Sequence, residues 1–138
     1  MPGSTDGGFP LCYVCGQENP IGFKLKVRQE NGETLASFTP GPYHAGFTET
    51  VHGGVLCALL DEVMIYLPFL QGLRSVTGKI EVRFLHSARP GEALEIRGRV
   101  VKQRTRAIQA QGTITNGSGE VVAEAQALLY ILGKYKEA

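Results

Sequence analysis

The 138-residue chain predicts an α+β fold, one long buried helix packed against a curved, mostly antiparallel sheet. Two observations carry this. The stretch from Val55 to Leu67 is apolar around nearly its whole circumference, the mark of a helix covered on all sides. Nearly everywhere after it, apolar residues recur at every second position between runs of Gly, Pro and Asn, the mark of half-buried strands joined by turns. Length and a 43% hydrophobic content fit a single domain over residues 1–138.

The elements follow in order. Up to about residue 20 the chain is rich in Gly, Pro and turn formers and is expected to be irregular. Gly22 to Gln29 alternates Phe23, Leu25 and Val27 with Lys24, Lys26 and Arg28, which predicts a strand. Asn31-Gly32 predicts a type I′ hairpin turn, whose two central residues need positive φ. Glu33 to Thr39 returns, anchored by Leu35 and Phe38, and Pro40, Gly41 and Pro42 end it. The helix opens at His52-Gly53-Gly54 and is expected to stop before Pro68. Four strands complete the chain. Val76, Ile80, Val82 and Phe84 form the apolar side of the first, and Leu94 to Val100 the second. Ala107 to Thr115 and Val121 to Leu132 are the last two, joined by the turn Asn116-Gly117-Ser118-Gly119. Ala123, Ala125 and Ala127 put small residues where a sheet must approach its helix closely.

A formal net charge of +1 gives no field that would favour nucleic acid or an anionic membrane surface. No uninterrupted apolar run reaches the roughly 18–20 residues that cross a bilayer. The polar, Gly-rich start lacks the pattern of a signal peptide, so the expected location is the cytoplasm. Three cysteines, an odd number, fit a reducing compartment and argue against a disulfide framework. Cys12 and Cys15 form a CxxC pair, which can begin a zinc site. Only Cys57 and three scattered His remain as further ligands, so no metal is expected, and the pair is read as a tight turn against the end of the helix.

The chemistry-bearing residues cluster at the helix. A helix N-terminus presents unpaired N–H groups at the positive end of the dipole. Gly53 and Gly54 leave it bare, so either N–H suits a developing oxyanion; the same glycines also suit close packing on a sheet. Asp61 lies two turns further on, among apolar residues. A carboxylate in that setting has a partner or a task, and it could activate water or attack a carbonyl itself. Glu62 is about 100° round the helix and is read as structural. His52 suits a substrate contact or a hydrogen bond that orders the start of the helix. Leu59, Met64, Tyr66 and Phe69 serve equally as pocket lining or as core.

Val51-His52-Gly53-Gly54-Val55, with Leu59-Leu60-Asp61-Glu62 behind it, resembles the hot-dog-fold thioesterases. The branch it resembles includes the phenylacetate-pathway acyl-CoA thioesterases, in which HGG opens the central helix and an acid follows nine residues after the His. Val76-Thr77, Val82-Arg83-Phe84-Leu85 and Ala88-Arg89-Pro90-Gly91 are similar to the family's next strand and turn. Cys12-Tyr13-Val14-Cys15-Gly16 and Asn19-Pro20-Ile21-Gly22 resemble one of its sub-branches, so the likeness runs from about Cys12 to Ile131.

This resemblance implies a hot-dog fold and hydrolysis of an acyl-CoA thioester, with no cofactor beyond the CoA of the substrate. It implies a homo-oligomer, a dimer of dimers, in which Asp61 of one chain faces His52 and Gly53 of the other. Thr77 matches a Ser or Thr that hydrogen-bonds the water or the acid; by residue type alone it is an ordinary strand residue. Arg83, His86 and Arg89, or Lys102, Arg104 and Arg106, would meet the CoA phosphates, unless they are a solvated sheet face. Related enzymes place an Asn or Gln a few residues before the His; here Gly46 stands there, with His44, Thr48 and Glu49 as the polar groups at hand. That departure favours a rival reading, an acyl-CoA-binding protein without catalysis. A hot-dog dehydratase or hydratase, which uses Asp and His at another spacing, ranks below both.

Overall fold

The computed structural model describes residues 9–135. Residues 1–8, the polar start of the sequence, lie outside the described residues, and residues 9–20 form turns as expected. Six strands and one long helix follow: β1 Arg28–Glu30, β2 Glu33–Phe38, α1 Gly53–Leu70, β3 Leu73–Phe84, β4 Leu94–Gln103, β5 Ala107–Thr115 and β6 Val121–Lys134. Two short 3-10 turns, Pro42–His44 and Phe47–Glu49, lead into α1.

The sheet order is β1-β2-β4-β5-β6-β3, and every neighbouring pair is antiparallel. The helix connects β2 to β3 on opposite sides of this order and packs against β2, β3, β4, β5 and β6. A long central helix in the hollow of a curved antiparallel sheet is the hot-dog arrangement that the resemblance implies. The core lies between them. Leu59, Leu60, Val63 and Met64 of the helix meet Ile96, Ile108, Ile114 and Leu129 of the sheet, all fully buried. Ala123, Ala125 and Ala127 are buried on the inner face of β6, as their size predicts. Leu59 and Met64 are therefore core, not pocket lining.

The Asn31-Gly32 hairpin forms with both residues at positive φ, 53° and 80°. Three expectations need correction. The first strand is only three residues long. Phe23, Leu25 and Val27 are buried as predicted, but Lys24 at φ 54° breaks the extended run. The N–H groups of Phe23 and Leu25 bond instead to Tyr13 and Val14 of the N-terminal segment. The helix does not stop at Pro68; it runs 18 residues to Leu70, about 27 Å. Pro68 sits in the last turn, and its pyrrolidine ring is buried. With Pro68 and Leu70 included, α1 is long and apolar enough to cross a membrane by length and composition, with a mean hydropathy of 1.7. Ten of its 18 side chains are instead buried.

The third correction concerns β3. Simple alternation puts Val76 inside and Thr77 outside. A bulge at Gly78, between Thr77 and Lys79, reverses the faces. Val76 is 47% exposed, while Thr77 turns inward. Past the bulge, Ile80 and Val82 take the inner face. Gly78 is where the bulge can sit, since a Cβ there would lie 2.0 Å from the Tyr130 ring.

Candidate active site

Two features stand out, both set by α1. The first is its N-terminus. His52 is the N-cap, and its Nδ1 accepts the Gly54 N–H at 2.8 Å. A neutral ring that accepts at Nδ1 carries its proton on Nε2, which leaves Nε2–H as a donor on an exposed side chain. The bond also decides between the two glycines. The Gly54 N–H is engaged, whereas Gly53, the first residue of the helix, has no intrahelical acceptor for its N–H. Beside Gly53 lies a groove of about 310 Å³, lined by Thr50, Leu56, Phe84, Leu85 and His86 among others. A Cβ on Gly53 would sit 3.4 Å from the Phe84 ring, so this glycine keeps the approach open.

The second feature is a pair. Thr77 Oγ1 donates to Asp61 Oδ1 at 2.7 Å. The bulge in β3 makes this contact, because without it Thr77 would face the other side of the sheet. Asp61 is half-buried and has one oxygen held, so its carboxylate is oriented rather than sealed off. Glu62 is the more buried neighbour, 8% exposed. Burial pushes its carboxyl up from the ordinary range, and the charge of Asp61 adds to that push.

A single chain does not bring the two features together. Eight helical residues separate Gly53 from Asp61, about 12 Å along the axis. The basic residues are dispersed as well. His86 lines the groove beside Gly53. Arg83 is on the outer face, paired with its cross-strand neighbour Glu124 at 3.6 Å, and so does not join the groove. Arg89 is exposed in the turn after β3, where its backbone N–H bonds Glu92. Lys102 and Arg104 flank a separate depression by the β4–β5 turn, and Arg106 is exposed nearby.

Gly46 packs against His52: a Cβ there would lie 3.2 Å from the His52 Cα and 3.4 Å from its ring. The polar groups around it serve the loop. His44 Nδ1 accepts the Gly41 N–H at 2.9 Å, and its ring stacks edge-on against Phe23 and Phe38. The Thr48 hydroxyl donates to the Phe47 carbonyl, and Glu49 is exposed.

One cluster escaped the sequence. Glu62 turns away from Asp61 toward Cys12 and Cys15, and their ligand atoms lie within 4.8 Å of one another. Fifty residues separate Cys12 from Glu62, so no local spacing could have signalled it. Tyr66 and Phe69 line a small cavity beside this cluster.

A sequence profile described as the thioesterase superfamily matches residues 48–123. No curated protein matches the chain by sequence. Among solved structures, smu.793 from Streptococcus mutans UA159, bound to acetyl CoA, is 24% identical with a TM-score of 0.77, over 81% of this chain and 91% of that one. A hypothetical thioesterase protein from Streptococcus pneumoniae TIGR4, with coenzyme A, is 21% identical with a TM-score of 0.77, over 81% and 91%. Its mutant structures carry Ala for an Asp and for a Thr sixteen positions apart. The E. coli PaaI protein, from the phenylacetic acid degradation operon, is 21% identical with a TM-score of 0.77, over 81% and 82%.

Proposed function

The chain belongs to the thioesterase superfamily, and from that premise we propose that it hydrolyses an acyl-CoA thioester to a free acid and CoA. The observation that carries this is the Thr77–Asp61 hydrogen bond, which aims a carboxylate from an otherwise apolar helix. The two residues are sixteen positions apart, as are the Asp and Thr replaced in the S. pneumoniae protein. Coenzyme A and acetyl CoA in two of the similar structures support an acyl-CoA ligand.

The chemistry is assigned to a site shared by two chains. The thioester oxygen sits on the Gly53 N–H at the helix N-terminus of one chain. The partner's Asp61 takes a proton from water, and the hydroxide adds to the carbonyl carbon. Charge on the tetrahedral oxygen falls on the Gly53 N–H and the helix dipole. Collapse expels the CoA thiolate, which is reprotonated. Direct attack by the Asp61 carboxylate is the alternative first step, giving an anhydride that water then opens. Thr77 fixes the Asp61 rotamer in either case, and His86, which lines the groove with Glu120 3.8 Å from its Nε2, is the basic residue assigned to the CoA phosphates. No cofactor is needed. Two observations support the shared site. The 12 Å gap leaves one chain incomplete, and β3 is a long edge strand with exposed apolar residues, Val76, Phe84 and Leu85, along and just beyond it.

Release of free thiol from a panel of acyl-CoA esters tests the activity. Asp61→Asn should lose about 100-fold or more in turnover while its circular dichroism is unchanged. Equal turnover in this variant would refute the assignment. Gly46, in place of the family's amide, favours one second reading, an acyl-CoA binder. Wild-type protein that binds CoA esters and releases no thiol would establish that reading instead.

A further inference from the structure

We propose that Cys12, Cys15 and Glu62 form a zinc site that pins the N-terminal segment to the central helix. Sequence alone offered two ligands, too few for a tetrahedral ion. The fold supplies the third from α1, and the three ligand atoms lie within 4.8 Å of one another. Around a tetrahedral zinc, thiolate sulfurs and a carboxylate oxygen stand about 3.5–3.8 Å apart. Cys12 Sγ and Glu62 Oε2 are already at 3.8 Å. A contraction of about 1 Å or less closes the rest of the set.

The surroundings suit an ion. The Cys15 N–H donates to Cys12 Sγ at 3.4 Å, the kind of bond that supports a thiolate in a CxxC turn. Gly16 is required for that turn. A Cβ there would lie 2.5 Å from the backbone of Cys12 and of Pro10, so no other residue closes it this tightly. Cys15 and Glu62 are buried, 3% and 8% exposed, and Glu62 has no ion pair among the described residues. A buried carboxylate without a cation is costly, and a divalent ion beside it supplies one. Cys12, Cys15 and Glu62 all line a cavity of about 170 Å³ that Tyr66, Phe69 and Tyr135 also bound, which has room for a water as fourth ligand. Two thiolates select zinc over magnesium or calcium, which take oxygen ligands.

The site is distinct from the Asp61 pair, since Asp61 and Glu62 project from different sides of α1. It ties a segment with little regular structure to the one element that every part of the core touches.

The test uses the whole protein, purified without chelator under reducing conditions. Elemental analysis should give one zinc per chain. Cobalt titrated into the metal-free protein should give thiolate-to-cobalt charge-transfer absorption and the visible bands of a tetrahedral ion, saturating at one equivalent. Cys12→Ser and Cys15→Ser should each lose the metal and Glu62→Gln should weaken it at least tenfold, whereas Cys57→Ser, a thiol outside the cluster, should keep it. Chelation should lower the melting temperature of the wild type and leave that of Cys15→Ser unchanged. The proposal is overturned if reduced wild-type protein takes up neither zinc nor cobalt, or if bound cobalt lacks the charge-transfer band. It is equally overturned if Cys57→Ser, and not the CxxC variants, abolishes binding. The cobalt spectrum of the wild type decides even where a variant fails to fold.

Discussion

Thr77 acts through one atom. Its Oγ1 holds Asp61 Oδ1 at 2.7 Å, so its worth is the orientation of a neighbour. Thr77→Ala removes a hydrogen bond to a charged group, about 1.5–3 kcal/mol, so kcat should fall roughly 10- to 100-fold with KM little changed. Thr77→Ser keeps the hydroxyl and should restore most of the rate; if it does not, orientation is not the role. Gly53 also acts through one atom, its N–H. Pro is well tolerated at the first helical position, and His52 at φ −61° and ψ 135° already has the conformation preferred before Pro. Gly53→Pro should therefore leave the fold intact and delete the donor alone. Steady-state kinetics should show a loss of about 100-fold or more in kcat.

At the scale of elements, the helix and sheet meet closely at Gly98. A Cβ there would lie 2.7 Å from the Val63 carbonyl and 2.6 Å from Thr34 Oγ1, which itself bonds that carbonyl. Gly98→Ala cannot be absorbed by a flexible side chain and should destabilise the fold by about 1–3 kcal/mol, read from denaturant melts. The closeness of this contact was not legible in the sequence, because Gly98 reads simply as one more inward position of β4. What was legible had a local cause. β4, β5 and β6 each have one buried face, so their alternation was visible, and Asn31-Gly32 announced its turn. The front half of β3 was misread because a bulge shifts the period by one, and nothing around Gly78 signals a bulge rather than a strand glycine. The segment 22–27 was misread because its pairing partner is an irregular loop near Tyr13, not a strand. Within the candidate site, the spacing of the sequence was enough to single out Asp61 and the helix start as candidates, whereas Glu62 beside the CxxC pair needed the fold to bring distant residues together.

The whole molecule bears on the shared site. Tyr43 and Phe47, 98% and 94% exposed, flank the helix start, and Val76 and Phe84 continue the apolar surface along the β3 edge. Light scattering should find at least two chains per particle at micromolar concentration, and a monomer would exclude a site built from two chains. Complementation asks the question directly. Asp61→Asn and Gly53→Pro are each expected to be inactive. In a mixed dimer one site carries both changes and the other carries neither. Co-expressed chains that pair at random should recover about a quarter of wild-type turnover. No recovery, with mixed dimers demonstrated, would mean that each chain works alone.

The strand order also has a consequence for how the protein is made. Among the described residues β3 pairs only with β6, which is made after every other strand of this sheet. Until then Thr77 has no neighbouring strand to hold it, and an apolar helix of 18 residues waits under a sheet that is missing a third of its strands. Local elements such as the Asn31-Gly32 hairpin can form during synthesis, but long-range pairing of this kind comes late and leaves greasy surface open meanwhile. The carboxylate and hydroxyl at the heart of the proposed chemistry are thus set in place only once β6 has been made, so a nascent chain that stops short of Val121–Lys134 would carry no working site.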